Sequence, residues 1–536
     1  MRKFLMTLVN KFNDSSQLLK TISLSLGLII TVIFREPIAA LIFNGKNFSG
    51  RNFVFQVLEI VFFSALIALI LLILFYILKQ IKVVSRAFEN LDSKYSDFID
   101  TVKSDAHTRI MIALIVVGLG FAAIILFNIV LANIDTQTWG FSTTNLLPLM
   151  HPVGADFRDG IYNPAEALFA GKSITQIWTN TTNTSGYPPL VTFIGLFFLP
   201  LNVNIAYLVQ VFLLTLSNIA CLGLVVAITD KFLFSTLEID KKSRSYISLF
   251  VFSTTLILIF SSYAFTFSIE RGNYDIYALL LTLLTVWVLL NHPEKVWTQV
   301  ILLSIATNLK IYPAILFILL LRKHGKKMIL PTIVSNIALL LILGPNNLLA
   351  FISTLFARLG IGNSYSWIGN HSSYSFAETV LKNLYPGEIK FFMPLWIILT
   401  LIPLLLWGAS LIPVFKKKFS PQTAILFYMV SVPVMDLVPT VSHDYKLVIL
   451  YSTAALLLGY ILRRIIQKGS FFDYFELVLL CVIFLAISRS YVFFKEDGFW
   501  DKYGKLFDTF SRNEYPQLFL VTPDKLINVE LPTVEN

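Results

Sequence analysis

Residues 203–229 read VNIAYLVQVFLLTLSNIACLGLVVAIT, without a single Asp, Glu, Lys or Arg. A helix rises 1.5 Å per residue, so about 20 apolar residues cross the roughly 30 Å of hydrocarbon in a bilayer. This stretch is long enough to span one, and its neighbours repeat the pattern. Runs at 21–43, 53–78, 110–132, 247–267, 328–343, 390–415, 421–439, 446–463 and 473–489 meet or approach that length, and 276–291 is a shorter one. The stretch from Val296 to Leu321 is interrupted by Lys310, Tyr312 and Pro313. Each half holds about 13 residues, enough to cross only with local thinning or as a broken re-entrant hairpin. Counting both halves gives an all-α polytopic membrane protein of about 13 membrane segments.

Composition agrees. Of 536 residues, 56% are hydrophobic, 14% are charged, 47 are Phe, and the mean hydropathy is +0.74. Soluble domains carry about 25% charged residues. A soluble enzyme, a disordered chain and a coiled coil are therefore excluded. Cys221 and Cys481 both lie in apolar runs, which gives neither a disulfide framework nor a Cys-based metal site.

The net charge of +10 points to a membrane surface rather than to nucleic acid, because of where the cations fall. Alternate loops collect 25 basic residues on one side and 16 on the other, with Arg35 inside the first span. The richer side holds Arg2, Lys3, Lys11, Lys20, the 79–109 segment, the 230–246 loop, Lys295, Arg322–Lys327, Lys416–Lys418 and Arg463–Lys468. By the positive-inside rule that side is cytoplasmic. The reading divides the chain into a two-span N-terminal unit (1–78), a cytoplasmic helical linker (79–109), a membrane domain (110–489) and an extracytoplasmic tail (490–536). Met1–Gln17 carries no cleavable signal pattern.

Two outer loops are long, 133–202 and 344–389. The first predicts a short surface helix, with Asn163 as N-cap, Pro164 in the first turn, Glu166 closing a capping box and Gly171 at the exit. In the second, Leu348–Leu359 predicts another helix along the membrane surface.

Polar groups at a membrane are costly, so their clustering is informative. Six short sequences stand out: Gly154–Asp159, Tyr187–Leu190, Glu270–Asp275, Leu309–Pro313, Gly369–Ser372 and Ser442–Lys446. The charge-derived topology puts all six at the outer ends of spans, with His151, His371 and His443 among them. Each has a plain structural reading as well. Asp156 and Asp159 read as turn carboxylates before Gly160, and Glu166 reads as a cap. Arg271 and Lys310 read as cations snorkelling at span ends. His371 and His443 read as interfacial histidines. Their convergence on one face, where cations are otherwise sparse, favours a site.

In order, Asp156-Phe157, Ala167-Leu168 with Gly171, Tyr187-Pro188-Pro189, Arg271-Gly272-Asn273 and Lys310-Ile311-Tyr312-Pro313 resemble glycosyltransferase family 87, of the glycosyltransferase-C superfamily. That family includes polyprenyl-phosphate-mannose-dependent mannosyltransferases. The resemblance covers roughly residues 110–465. The chain departs from the family pattern in its extra N-terminal spans, in a one-residue-longer spacing after Asp156, and in its outer tail.

The resemblance implies a donor carrying one sugar on a polyprenyl phosphate, and an acceptor hydroxyl on a glycolipid or cell-envelope glycan. It maps the general base to Asp156. The leaving lipid phosphate needs cations or oriented donors, for which Arg271, Lys310 and His371 are the candidates, followed by His443 and Lys446. Tyr187, Asn273 and Tyr312 lie in the same motifs and are expected to line the substrate. Direct displacement by the acceptor inverts the anomeric centre. No cofactor is expected; no ligand spacing argues for a metal, although Asp156, Asp159 and a histidine leave a divalent ion open. Membrane lipids, and no nucleic acid, complete the expected partners. Two other classes compete: a lipid-linked glycan ligase or polymerase, and a secondary transporter, which would show internal repeats and charges deep in several spans.

Overall fold

The computed structural model describes Leu19 and residues 22–28, 30–31, 53–132, 154–172, 187–360, 371–383, 389–416, 418–439 and 442–488. Most of the expected first span (21–43), His151, and the tail 490–536 lie outside the described residues. The helices within them follow the hydropathy pattern closely. α1 (Phe53–Leu78) and α3 (Ala106–Ala132) flank the charged α2 (Lys82–Ser104), and α4 spans Val203–Ile228. Then follow α5 (Lys241–Phe260), α6 (Tyr263–Arg271), α7 (Asp275–Asn291), α8 (Val296–Leu309) and α9 (Ile329–Leu340). Further on lie α10 (Phe392–Lys416), α11 (Pro421–Leu437), α12 (Leu450–Gln467) and α13 (Phe471–Ser488), with shorter helices between.

Side chains fix where these helices start. Asn202 accepts the Ile205 N–H at 3.0 Å to open α4, and Asp240 accepts the Ser243 N–H at 3.0 Å to open α5. Ser420 and Thr423 form a capping box on α11. The run read as one span at 247–267 is instead broken at Ser261–Ser262. Ser262 Oγ donates to the Ile259 carbonyl at 2.7 Å and accepts the Phe265 N–H at 3.2 Å. One hydroxyl thus ends α5 and caps α6, the competition between side chain and helix ladder that serine offers.

The surface helix also starts differently from its expected cap. Gly154, at φ +80°, opens a helical run through Ala155–Phe157 and a π turn, Arg158–Tyr162, that continues into Asn163–Phe169. Asn163 is already helical, at φ −61° and ψ −41°, and its N–H bonds the Arg158 carbonyl. The preceding turn supplies the carbonyls that a capping side chain would have replaced. The Gly171 exit, at φ +77°, is as expected. The helix expected at Leu348–Leu359 is present as Pro345–Gly360.

Four helical stretches among the described residues are long and apolar enough to cross a membrane: Val203–Thr236, Lys241–Phe260, Phe392–Lys416 and Tyr445–Gln467. Two bent pairs, Tyr263–Arg271 with Asp275–Asn291 (109°) and Tyr312–Leu340 with Pro345–Ser353 (90°), raise the number to six. Of the other expected segments, α1, α3, α11 and α13 are helical, α8 is a shorter apolar helix, and most of 21–43 falls outside the described residues. The interruption expected at Lys310–Pro313 is there: Lys310 is extended, and a 3₁₀ turn over Tyr312–Leu316 leads into Phe317–His324.

α7 packs against both α4 and α8, α10 against α11, and α12 and α13 against α3. Their shared core includes Leu222, Leu283, Phe427, Tyr428 and Ile461. A second cluster, with Phe157, Ile161, Leu190, Phe198, Tyr274 and Leu309, lies around the short helices near Asp156. α10 leaves Ile402, Leu405 and Leu406 on an apolar outer face, as a lipid-facing helix requires. Basic residues gather at one end of the bundle. Lys231 bonds Asn291 there, Arg322 Nε donates to the Val414 carbonyl at 2.7 Å, and Arg109 Nη2 donates to the Ile466 carbonyl at 2.7 Å. The polar motifs meet at the other end.

Candidate functional site

All six motifs join in one contact network. The Gly154 N–H donates to the Glu270 carbonyl at 2.9 Å, which brings the first loop onto the end of α6. Two residues on, Asp156 forms an ion pair through Oδ1 with Arg271 Nη2, and its Oδ2 accepts from Asn273 Nδ2 at 2.6 Å. Arg271 and Asn273 reach one carboxylate because Gly272 between them ends α6 at φ +67°. A Cβ there would lie 2.8 Å from Phe157 Cβ, so the close approach itself requires glycine.

The network continues from Asp275, the first residue of α7. Its Oδ2 is 3.3 Å from Lys310 Nζ, and its Oδ1 accepts from the Tyr312 hydroxyl at 2.8 Å. Lys310 also donates to the Tyr187 hydroxyl at 3.3 Å and sits 4.6 Å from the centre of that ring. On the far side of Tyr312, Lys446 Nζ lies 4.5 Å from its ring centre. Lys446 donates to the Met435 carbonyl at 2.6 Å and to Ser442 Oγ at 3.1 Å. Ser442 bonds Asp436, whose Oδ2 is 3.0 Å from His371 Nε2. The His371 N–H donates to the Ser442 carbonyl at 2.9 Å. The His443 ring packs 5.4 Å from that of Tyr445.

The expected residues therefore divide into two groups. Asp156 and Lys310 keep part of their side chains open, at 13% and 16% exposure, and Tyr187 is half-buried beside them. Arg271 lies just below, buried, yet its Nε and Nη1 have no hydrogen-bond partner among the described residues. That leaves two donors of the guanidinium for an incoming anion. Lys446 and His371 are enclosed: His371 is wholly buried against Asp436, and the Lys446 ammonium is occupied by Met435 and Ser442, while Tyr312, half-buried like Tyr187, donates to Asp275. Asn273, expected to line the substrate, is wholly buried with its amide directed at Asp156.

Burial by itself would raise the Asp156 carboxyl. The charges of Arg271 and Lys310, with hydrogen bonds from Arg271 and Asn273, outweigh it and hold the group below the usual carboxylate range. Burial pushes the Tyr187 phenol up to about 12, against the pull of Lys310. Burial lowers His443 to about 3, so its imidazole is neutral at physiological pH and contributes no positive charge.

Two residues of the network had no role in the sequence reading. Asp275 closes the quoted Glu270–Asp275 motif, and only its position between Lys310 and Tyr312 shows what it pairs. Asp436 is a carboxylate near the end of an apolar run, a signal that an intramembrane acid always carries. Among the described residues no cluster of three or more His, Cys, Asp or Glu is placed to hold a metal ion.

The described residues thus form an all-helical fold with several helices long and apolar enough to cross a membrane, and it gathers two ion pairs, Arg271–Asp156 and Lys310–Asp275, at one end of the bundle. The comparison with protein families points to a class. Residues 186–442 match the model of glycosyltransferase family 87, which supports the resemblance read from the motifs. The match contains Tyr187, Arg271, Asn273, Lys310, Tyr312 and His371, while Asp156 stands before it and His443 and Lys446 after it. No curated protein and no solved structure matches the chain.

Proposed function

We propose that this membrane glycosyltransferase moves one mannose-like hexose from a polyprenyl-phosphate donor to a hydroxyl of a glycolipid or cell-envelope glycan, on the extracytoplasmic face, with Asp156 as general base. The observation that supports this reading most is the partly open Asp156 carboxylate, paired with Arg271 and within the field of Lys310. The acceptor oxygen attacks the anomeric carbon from the face opposite the phosphate, so the centre inverts. The bond from that carbon to the phosphate oxygen breaks with its electron pair going to the phosphate, and the hydroxyl proton goes to Asp156. Arg271 and Lys310 meet the charge that gathers on the leaving phosphate. A phosphate that draws Arg271 toward itself weakens that residue's hold on Asp156. The carboxylate becomes a better base only when the donor is in place.

The test is transfer from a panel of polyprenyl-phosphate sugars in detergent, at matched amounts of folded protein. Asp156→Asn should lower turnover by about two to four orders of magnitude, the usual worth of a positioned base. Asp159→Asn, in the adjoining π turn, should be tolerated. Near-normal transfer by Asp156→Asn would exclude it as the base, and loss of transfer in Asp159→Asn alone would move the role there.

A further inference from the structure

We propose that Asn273 is a positioning residue for the base: it holds Asp156 in its working orientation while the donor phosphate competes for Arg271. The inference rests on the reading of Asp156 as base and assigns Asn273 a task other than contact with substrate. The two carboxylate oxygens are held separately, Oδ1 by Arg271 and Oδ2 by Asn273, from either side of Gly272. These two holds respond differently to an anion. A phosphate can attract the guanidinium, whose Nε and Nη1 are without partners among the described residues. It has little attraction for the neutral amide, which is wholly buried.

The turn that carries Asn273 is itself anchored. The Gly272 carbonyl accepts from Gln210 Nε2 at 3.1 Å, and Gln210 Oε1 accepts from the Tyr277 hydroxyl at 3.1 Å. The Tyr207 hydroxyl donates to the Ile269 carbonyl at 2.9 Å. Side chains of α4 and α7 thus fix the backbone from which the amide projects, and Asn273 stays in place when Arg271 shifts. The expected signature is on turnover rather than on donor affinity.

Asn273→Ala, Arg271→Ala and Asp156→Asn are assayed together for transfer, with the folded fraction of each measured by size exclusion in detergent. Asn273→Ala should lower kcat about ten- to a hundredfold, the effect of losing one hydrogen bond to a charged group, with donor KM within about threefold of the wild type. Arg271→Ala should raise donor KM. A purely structural Asn273 would change the amount of folded protein and leave the kcat of the folded fraction unaltered. Should the alanine variant not fold, the isosteric Asn273→Asp decides. Only a protonated carboxyl can donate to Asp156, so its activity relative to wild type should fall at least tenfold between pH 5.5 and pH 8.5. A wild-type kcat in Asn273→Ala, or a pH-independent ratio in Asn273→Asp, overturns the proposal while an inactive Asp156→Asn leaves the base reading standing. Transfer by Asp156→Asn at the wild-type rate removes both.

Discussion

At the scale of residues, the site is built on two ion pairs. Arg271 faces Asp156, and Lys310 faces Asp275. A charge buried alone would cost several kcal/mol, so each cation is kept in the low-dielectric end of the bundle by its own carboxylate. On the proposed reading, a donor phosphate shares these cations. Removing one should therefore weaken donor use by about 1.5–3 kcal/mol, roughly ten- to a hundredfold in donor KM. Donor titrations of Arg271→Ala and Lys310→Ala would show it, and an unchanged KM would return Arg271 to the role of a span-end cation.

The pH behaviour belongs to this scale too. His443 is neutral across the physiological range, because burial lowers it to about 3. Its protonation therefore produces no step in transfer between pH 5.5 and pH 8, and His443→Gln should leave the shape of the profile unchanged. Asp156 has its folded-state carboxyl held below the ordinary value of 3.8. Its ion pair thus stabilises the fold fully at neutral pH, and that contribution is lost only as the pH falls through the depressed folded value. Arg271 and Lys310 were legible as cations at span ends, but their partners were not. The pairing of Arg271 with Asp156, 115 positions away, and that of Lys310 with Asp275, one helix hairpin away, leave no local pattern in a sequence.

At the scale of elements, breaks rather than spans build the site. α6 and α7 bend by 109° across Gly272–Tyr274, and α8 stops at an extended Lys310. Half-helices that end together at one level bring their terminal polar residues within reach of each other. The Gly272 turn is the most exacting of these. Its backbone is left-handed, and a Cβ on it would come within 2.8 Å of Phe157 Cβ. Gly272→Ala should cost about 1–2 kcal/mol from the backbone alone, and more as Phe157 is pushed away. A lowered Tm in detergent, with loss of transfer in the fraction still folded, is the expected result. The break at Lys310–Pro313 could be read directly, since a charge and a proline interrupt an apolar run there. The break at Ser261–Ser262 could not. Serine is compatible with a membrane helix, and only the chain's turn after α5 made its hydroxyl a cap.

At the scale of the whole molecule, the polar network and the basic clusters occupy opposite ends of the helices. The cation asymmetry then predicts that the network faces away from the cytoplasm. Single cysteines test this at exposed positions: Lys172→Cys, beyond the surface helix, and Lys326→Cys, in the basic turn after His324. In sealed cells a membrane-impermeant thiol reagent should label the first and not the second. The reverse pattern would overturn the orientation and the extracytoplasmic reading with it. The native cysteines should give little background, with Cys221 buried and Cys481 half-buried in apolar helices.

What the sequence determined by itself was the solvent and the skeleton. Runs of apolar residues long enough to cross a bilayer can only be helices in lipid, because every backbone polar group must be satisfied within its own segment. Hence α4 and α10 lie within a residue or two of where hydropathy put them. The order of the Arg271-Gly272-Asn273 and Lys310–Pro313 motifs likewise carried the family. Tertiary structure alone decided which polar residues stay partly open and which are held inside. Lys310, Lys446 and His371 look alike as polar groups near span ends, yet Lys310 remains partly open while Lys446 and His371 are held inside by Ser442 and Asp436. The physical reason is that hydropathy acts one segment at a time, whereas the state of a buried charge is set by the distance to its partner. That distance exists only once the half-helices have packed.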